Sequence, residues 1–338
     1  MTNVDSKRSA WREPLAALIF FLVCALLSPV FVIGYGFWIV KAYAGRGSGV
    51  SATAQGPLSA RWFQHQLGVR RDEAANRLLM ALPGISPLAV RLVFGPLLLA
   101  SRLSGYIPPA FRYPFEGEIT LQNQATARQT FYDAAVERYL AGAAQFVILG
   151  AGFDTRALRL PKSGGLRAFE VDTPGTLAIK QKVLKEAGVD AAGVTFVGAD
   201  FQREDWFGRL TAAGFDPRQP ALFVWEGVTP YLERAAVEAT LRKIAGGAAG
   251  SVVVFDCFTT EVLESQSPYL RVVRASLRAG GEPLRFGLDS TPPLEARLAE
   301  LLQSCGLALE EQRTLGKETD GQCAWGGFVV ASVRSDNR

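Results

Sequence analysis

One histidine, His65, is all that this chain of 338 residues contains. That excludes a histidine-rich metal site and leaves everything after residue 65 without an imidazole to move protons. Cysteine is almost as sparse. Cys24, Cys257, Cys305 and Cys323 lie far apart and form no C-x-x-C pair, so neither a disulfide framework nor a zinc site is readable, and a reducing compartment suits the chain. A strong excess of one charge is missing too. The net charge is +4, and the arginines scatter instead of clustering with aromatics, which speaks against a nucleic-acid partner. Charged residues make up 20% and hydrophobic ones 49%, a balance that excludes disorder for the bulk of the chain. Internal repeats are not evident.

Charge is absent altogether from Leu15 to Val40, a run of 26 residues. As one helix it measures about 39 Å, enough to cross a hydrocarbon layer of about 30 Å with tilt. Trp11 stands at one end and Trp38 and Tyr43 at the other, as interfacial anchors do, and Pro29 is expected to kink the helix. Ala42-Tyr43-Ala44 resembles a signal cleavage site, but the apolar stretch is too long for a signal core and Lys41 follows it directly. The expectation is a single-pass helix in the cell membrane, with the lipid bilayer as partner of residues 15–40. Basic residues after the span outnumber those before it, which places the N-terminus outside and the rest in the cytoplasm.

Residues 1–43 therefore read as tail and span. Residues 44–57 (AGRGSGVSATAQGP) read as a flexible linker. Residues 58–119 read as a helical accessory segment in which Ala89 to Leu103 forms a helix, lying in the membrane interface or packed on the domain that follows.

From residue 120 to 334 strand and helix signals alternate. A helix is expected over 121–140. Then come strand 146–151 and helix 154–160, strand 167–172 and helix 175–187, strand 194–199 and helix 204–213, strand 221–226 and helix 233–245, and strand 251–257. An irregular segment spans 259–293, followed by a helix over 294–304 and strands near 308–315 and 323–333. This is an α/β fold: a doubly wound, mostly parallel, seven-stranded Rossmann-like sheet with a reversed strand at one edge.

The most informative stretch is Phe146-Val147-Ile148-Leu149-Gly150-Ala151-Gly152-Phe153-Asp154-Thr155-Arg156. A strand ends in a glycine turn, the next strand ends in Asp172, and the third ends in Asp200. In an open α/β sheet those ends line the ligand crevice. Asp172 follows Gly152 by twenty positions, the spacing of a ribose-binding acid. A dinucleotide fingerprint needs a third glycine, and here that place holds Thr155, with Asp154 adding negative charge where a diphosphate would sit. A dinucleotide-dependent oxidoreductase, using NAD or FAD, is the weaker alternative. A cofactor with one ribose, one adenine and no phosphate fits better, and S-adenosyl-L-methionine has that composition. Asp154 and Arg156 read as cap and brace of the helix after the turn. Asp256 reads as a strand end and Tyr231 as core.

Arg128 within ATARQTFYD, LGAGFDTRALRL, FEVDTP, GADF and WEGVTPYL occur in that order. Together they resemble the leucine carboxyl methyltransferase-like family of class I S-adenosylmethionine-dependent methyltransferases, which includes polyketide O-methyltransferases. The resemblance implies that Arg128 pairs with the carboxylate of the cofactor's methionine part. It implies that Gly150 and Gly152 let the backbone approach that part, and that Asp172 accepts from the ribose hydroxyls. Asp200 would accept from the adenine amino group with Phe201 alongside, and Glu226 would lie near the sulfonium or the methionine amino group, the one candidate catalytic residue. A catalytically silent binding protein on the same fold is the remaining alternative.

Without a histidine base in this domain, the expected reaction is O-methylation of a carboxylate, already ionised at neutral pH. A phenolic or enolic hydroxyl is the second choice. The apolar N-terminal third suggests a lipophilic small-molecule acceptor. No metal is expected.

Overall fold

The computed structural model describes residues 3–44, 52–161, 165–319 and 321–334. The chain divides into two compact units, Met1–Phe115 with Lys182–Val189, and Glu116–Gln181 with Asp190–Arg338.

The first unit is helical: α1 (Asn3–Leu26), α2 (Ser28–Ala44), α3 (Ala52–Leu67), α4 (Glu73–Ala81) and α5 (Pro87–Ser104). The kinked helix expected over Leu15–Val40 is divided more sharply than by a kink, into two helices. Arg12–Leu26 and Ser28–Lys41 diverge by 60°. Pro29 is the cause. It has no N–H to give the carbonyl of Ala25, and the Ser28 hydroxyl donates to that oxygen instead, at 2.8 Å. The halves are long and apolar enough to cross a membrane only when taken together, whereas α5 passes the same test of length and composition alone. The side chains of Trp11 and Tyr43, two of the expected anchors, lie outside the described residues.

The expected linker is corrected as well. Residues 45–51 lie outside the described residues, and residues 52–57 form the first turns of α3 rather than a flexible tether. Ala52, Ala54 and Gln55 favour helix, and Leu58 is fully buried and anchors the start. The helix expected over 89–103 falls inside α5. Ser86 caps it, its hydroxyl accepting from the Ala89 amide, Pro87 occupies the first turn, and Gly105 ends it at φ 71°. Both α1 and α2 pack along α5. Gly34 comes so close that a Cβ there would stand 2.5 Å from the Cβ of Leu92.

The second unit opens with α6 (Gln124–Tyr139), then β1 (Gln145–Leu149), β2 (Arg167–Asp172), α7 (Pro174–Glu186), β3 (Val194–Gly198), α8 (Trp206–Ala212), β4 (Ala221–Trp225), α9 (Arg234–Ala245) and β5 (Val252–Phe258). It closes with α10 (Thr260–Glu264), α11 (Pro268–Ala279), α12 (Leu294–Ser304), β6 (Leu307–Leu315) and β7 (Gly326–Val333). The seven strands lie in the order β3-β2-β1-β4-β5-β7-β6. All pairs from β3 to β5 are parallel, and β7 runs antiparallel to both its neighbours. The sheet is therefore mixed. The reversed strand sits one place in from the edge, not at it. Burial explains the order: Phe328, Val329, Val330 and Ala331 of β7 are all buried, whereas β6 is mostly half-exposed and takes the rim.

Two further expectations are corrected. After the glycine turn there is no α-helix over 154–160, only a single 3-10 turn, Ala157–Arg159. Pro161 holds Leu160 in an extended conformation (ψ 148°) and stops propagation. The segment 259–293 is not irregular throughout, because it contains α10 and α11. Leu270, Val273 and Leu277 recur at helical spacing along α11, a stripe that the sequence reading passed over, although only Leu270 is buried.

Parallel register brings the carboxyl ends of β3, β2, β1 and β4 side by side, Asp172 opposite Gly198, Leu149 opposite Val171, and Ile148 opposite Val224. The residues that follow these strands form one rim of the sheet.

Candidate functional site

At the end of β1 the chain turns through Gly150 (φ 68°) and Gly152 (φ 44°), in the left-handed region where L side chains are strained. The amides of Gly150 and Ala151 both donate to the Val171 carbonyl, at 2.8 and 3.1 Å, folding the turn toward β2. A Cβ on Gly150 would stand 2.2 Å from Cγ2 of Val228. The close approach at Gly150 is thus made to a side chain of the β4 rim.

Asp172 ends β2 beside this turn. Its Oδ2 accepts from the Gly152 amide at 2.7 Å and its Oδ1 from the Thr173 amide at 2.6 Å. Burial raises its pKa, and these two N–H groups oppose the rise. A carboxylate has about four acceptor positions, so two remain for hydroxyls.

Arg128 and Glu226, far apart in sequence, are brought together. Arg128 Nε lies 3.3 Å from Glu226 Oε1, and Nη1 lies 3.6 Å from Asp256 Oδ2. Nε is buried yet makes no hydrogen bond, so this pairing is loose. Asp256 itself sits inside β5 rather than at its end. Its Oδ1 accepts from the Gly227 amide at 2.6 Å and from the buried Tyr132 hydroxyl at 2.9 Å. Burial raises the pKa of Asp256, opposed by the Arg128 charge.

Arg156 holds the two halves of the site together, which its expected role as a helix brace did not include. Its Nε donates to Asp133 Oδ1 at 2.9 Å, and its Nη1 donates to Asp154 Oδ2 at 2.6 Å and to Glu226 Oε2. The side chain is 2% exposed, and its guanidinium lies over the Tyr132 ring at 5.4 Å. Asp154 also caps the Arg156 amide through Oδ1, as expected, although no helix follows. Counted over these ion pairs, four carboxylates (Asp133, Asp154, Glu226, Asp256) face two guanidiniums (Arg128, Arg156).

Asp200 and Phe201 follow β3 on the same rim. Asp200 Oδ1 accepts from the Gln202 amide at 2.8 Å, while its backbone amide donates to Glu204. The carboxylate is held locally and is 37% exposed. Phe201 is half-buried against the Trp206 ring. Tyr231, expected in the core, is only half-buried and contributes to the electrostatic surroundings of Arg128. His65 lies in the helical unit, where its Nδ1 accepts from the Asp72 amide at 3.1 Å.

Beneath the turn is an ion pair that the sequence reading missed. Lys180 Nζ lies 2.6 Å from Glu170 Oε2, both side chains are fully buried, and Nζ donates to the Asp154 carbonyl at 2.7 Å. A charge at the centre of FEVDTP, in a strand otherwise buried, was the available signal, since such a charge must be paired. Burial raises the Glu170 pKa from 4.5 to about 7, against the pull of Lys180. A raised acid contributes stability that is fully present below pH 4.5 and is lost as pH rises through about 7. Relative to Glu170→Gln, the natural chain is expected to lose roughly 3 kcal/mol over that window. Urea melts of both proteins at pH 4.5 and 8 check this, and parallel pH dependence of the two would remove Glu170 from the account.

The strand order and the glycine-and-acid rim define a seven-stranded α/β domain whose strand ends form a candidate ligand site. Residues 115–245 match the model of the leucine carboxyl methyltransferase family, a stretch that contains Arg128, the glycine turn, both strand-end acids and Glu226. A candidate S-adenosyl-L-methionine-dependent methyltransferase of Streptomyces avermitilis is 41% identical over 135 residues, covering 39% of this chain and 48% of that protein. One of Mycobacterium marinum is 37% identical over 193 residues, covering 55% of this chain and 59% of that protein. The chain thus spans about half the length of the curated relatives it matches. A solved structure of a candidate methyltransferase from Thermobifida fusca is similar with a TM-score of 0.44 at 16% identity, over 82% of this chain and 94% of that one. The enzyme class and cofactor expected from the sequence are those in the names of these relatives.

Proposed function

We propose that this chain is an S-adenosyl-L-methionine-dependent O-methyltransferase, held at the cytoplasmic face of a membrane through residues 15–40. Its acceptor is a carboxylate on a lipophilic small molecule. The observation that carries the reading is the loose pairing of Arg128 with Glu226 and Asp256, next to the Gly150 turn.

The chemistry of that rim fits the cofactor. Bound there, it supplies an already activated methyl group on a positively charged sulfur. Arg128 offers a guanidinium to its carboxylate. Glu226 and Asp256 offer negative charge to its amino and sulfonium groups. Asp172 keeps acceptor capacity for ribose hydroxyls, and Asp200 for an amino group. What remains for the protein is to orient the acceptor and exclude water. A carboxylate acceptor needs no base, in keeping with a domain that has no histidine. The three-residue turn after Gly152 offers no helix N-terminus to a pyrophosphate, which counts against a dinucleotide.

Calorimetry of the full chain with S-adenosyl-L-methionine tests the cofactor. Asp172→Ala is expected to weaken binding about tenfold to a hundredfold, the equivalent of about 1–3 kcal/mol. Unchanged affinity would misplace the ribose. Incubation with methyl-labelled cofactor and membrane extract tests the acceptor. A base-labile product is expected, and a base-stable one makes the acceptor a hydroxyl.

A further inference from the structure

Resting on the membrane attachment proposed above, we infer that residues 12–41 do not cross the bilayer. They lie in one face of it together with α5, so that the N-terminus and the rest of the chain share one side.

A crossing helix must be clear of its water-soluble neighbours over about 30 Å of hydrocarbon. Here the apolar stretch is laid along the rest of its unit from end to end. Glu13 pairs with Arg112 at 2.6 Å, and Phe20 meets Tyr106 with ring centroids 5.4 Å apart. Gly34 abuts Leu92, and Trp38 meets Phe94 at 6.1 Å. As one partner advances from 13 to 38, the other retreats from 112 to the early nineties, an antiparallel seam held at both ends.

The far side of that seam is tied to polar structure. Phe94 is also held by Trp62 and Phe63 of α3, at 5.5 and 5.2 Å, and Phe63 reaches Phe111 at 4.7 Å. Arg61 of α3 and the Arg70–Asp72 ion pair ahead of α4 are buried in the same unit. Sending α1, α2 and α5 across a bilayer would drag these charges into hydrocarbon, where each is expensive.

The uncovered side suits lipid. Leu15, Leu18, Leu22 and Leu26 recur every three or four residues and form one ridge along α1. With Ile33 of α2 and Leu103 of α5 they are 56 to 79% exposed. A protein partner is not favoured, because the ridge offers no charge and no hydrogen-bonding side chain to fix a docking register. Charge stands at the borders: Lys41 over Phe37 at one end, where a long basic side chain reaches headgroups, and the exposed Glu13–Arg112 pair at the other. The 60° break keeps each half too short to span alone while bending both around α5.

The test uses the full chain with an epitope tag at each end, produced in a bacterium. The chain is expected in the membrane pellet after a high-salt wash. Protease should remove both tags from inverted inner-membrane vesicles and neither from spheroplasts. An N-terminal tag cut only in spheroplasts overturns the inference and restores a crossing, with attachment intact. A chain found in the soluble fraction at low salt overturns the attachment itself. Leu22→Glu with Leu26→Glu changes exposed positions only, and is expected to lower the membrane-bound fraction at least tenfold without altering cofactor affinity. Unchanged retention would mean that this ridge is not the contact.

Discussion

Replacing Arg156 by methionine is expected to cost about 3–5 kcal/mol of stability, the range for removing one partner from a buried charge network. Three carboxylates, Asp133, Asp154 and Glu226, lose the same guanidinium. Lysine should not rescue it. One ammonium cannot donate to Asp133 along one edge and to Asp154 and Glu226 along another, as the planar fork does. Denaturant midpoints of the natural chain, Arg156→Met and Arg156→Lys measure this directly. The double variant Arg156→Met with Glu226→Gln should recover part of the loss, because one stranded charge is gone. A loss below about 1 kcal/mol in Arg156→Met would show that the network is more solvated than the geometry implies.

The second large effect is expected at Gly150. Alanine there is strained twice, by a φ of 68° and by a methyl group 2.2 Å from Val228 Cγ2. The left-handed backbone costs about 1–2 kcal/mol and the overpacking about 1–3 kcal/mol. A total of about 2–5 kcal/mol is expected, with loss of cofactor binding as the turn shifts. Val228→Ala in the same chain should return only the packing part. Gly281 separates the two contributions, since it has a φ of 82° and nothing within 4 Å of an added Cβ. Gly281→Ala should show the backbone cost alone. Melts of the natural chain and these three variants check the two contributions, and equal losses at Gly150 and Gly281 would refute the contact with Val228.

The sheet was legible because its strands are apolar runs closed by a glycine or an acid, and because their spacing allows crossover helices. Arg167–Asp172 and Leu294–Ser304 occupy the residues expected of them. The glycine turn and the strand-end acids were readable for the same reason: parallel strands deliver their ends to one rim. What the sequence hid depends on side chains that meet across the fold. Arg156 looked like a local brace because nothing in its neighbourhood names Asp133 or Glu226 as partners. Asp256 looked like a strand end because a carboxylate closes the apolar run before it, yet β5 continues for two residues beyond it. The reversed strand was expected at the rim because hydropathy identifies a strand without ranking it against its neighbours. In the N-terminal third, the length of the apolar stretch and a kink at Pro29 were legible, but not that the kink reaches 60° and divides the stretch into two helices.

The three-residue 3-10 turn after Gly152 has a consequence for selectivity inside a cell. ATP, NAD and their kin share adenosine with S-adenosyl-L-methionine and carry several negative charges. A longer helix starting there would welcome them with its positive end. This rim withholds that dipole and sets Asp154, Glu226 and Asp256 close by instead. If the rim holds the cofactor as proposed, polyphosphates gain no helix dipole there, and a cationic adenosyl compound needs none.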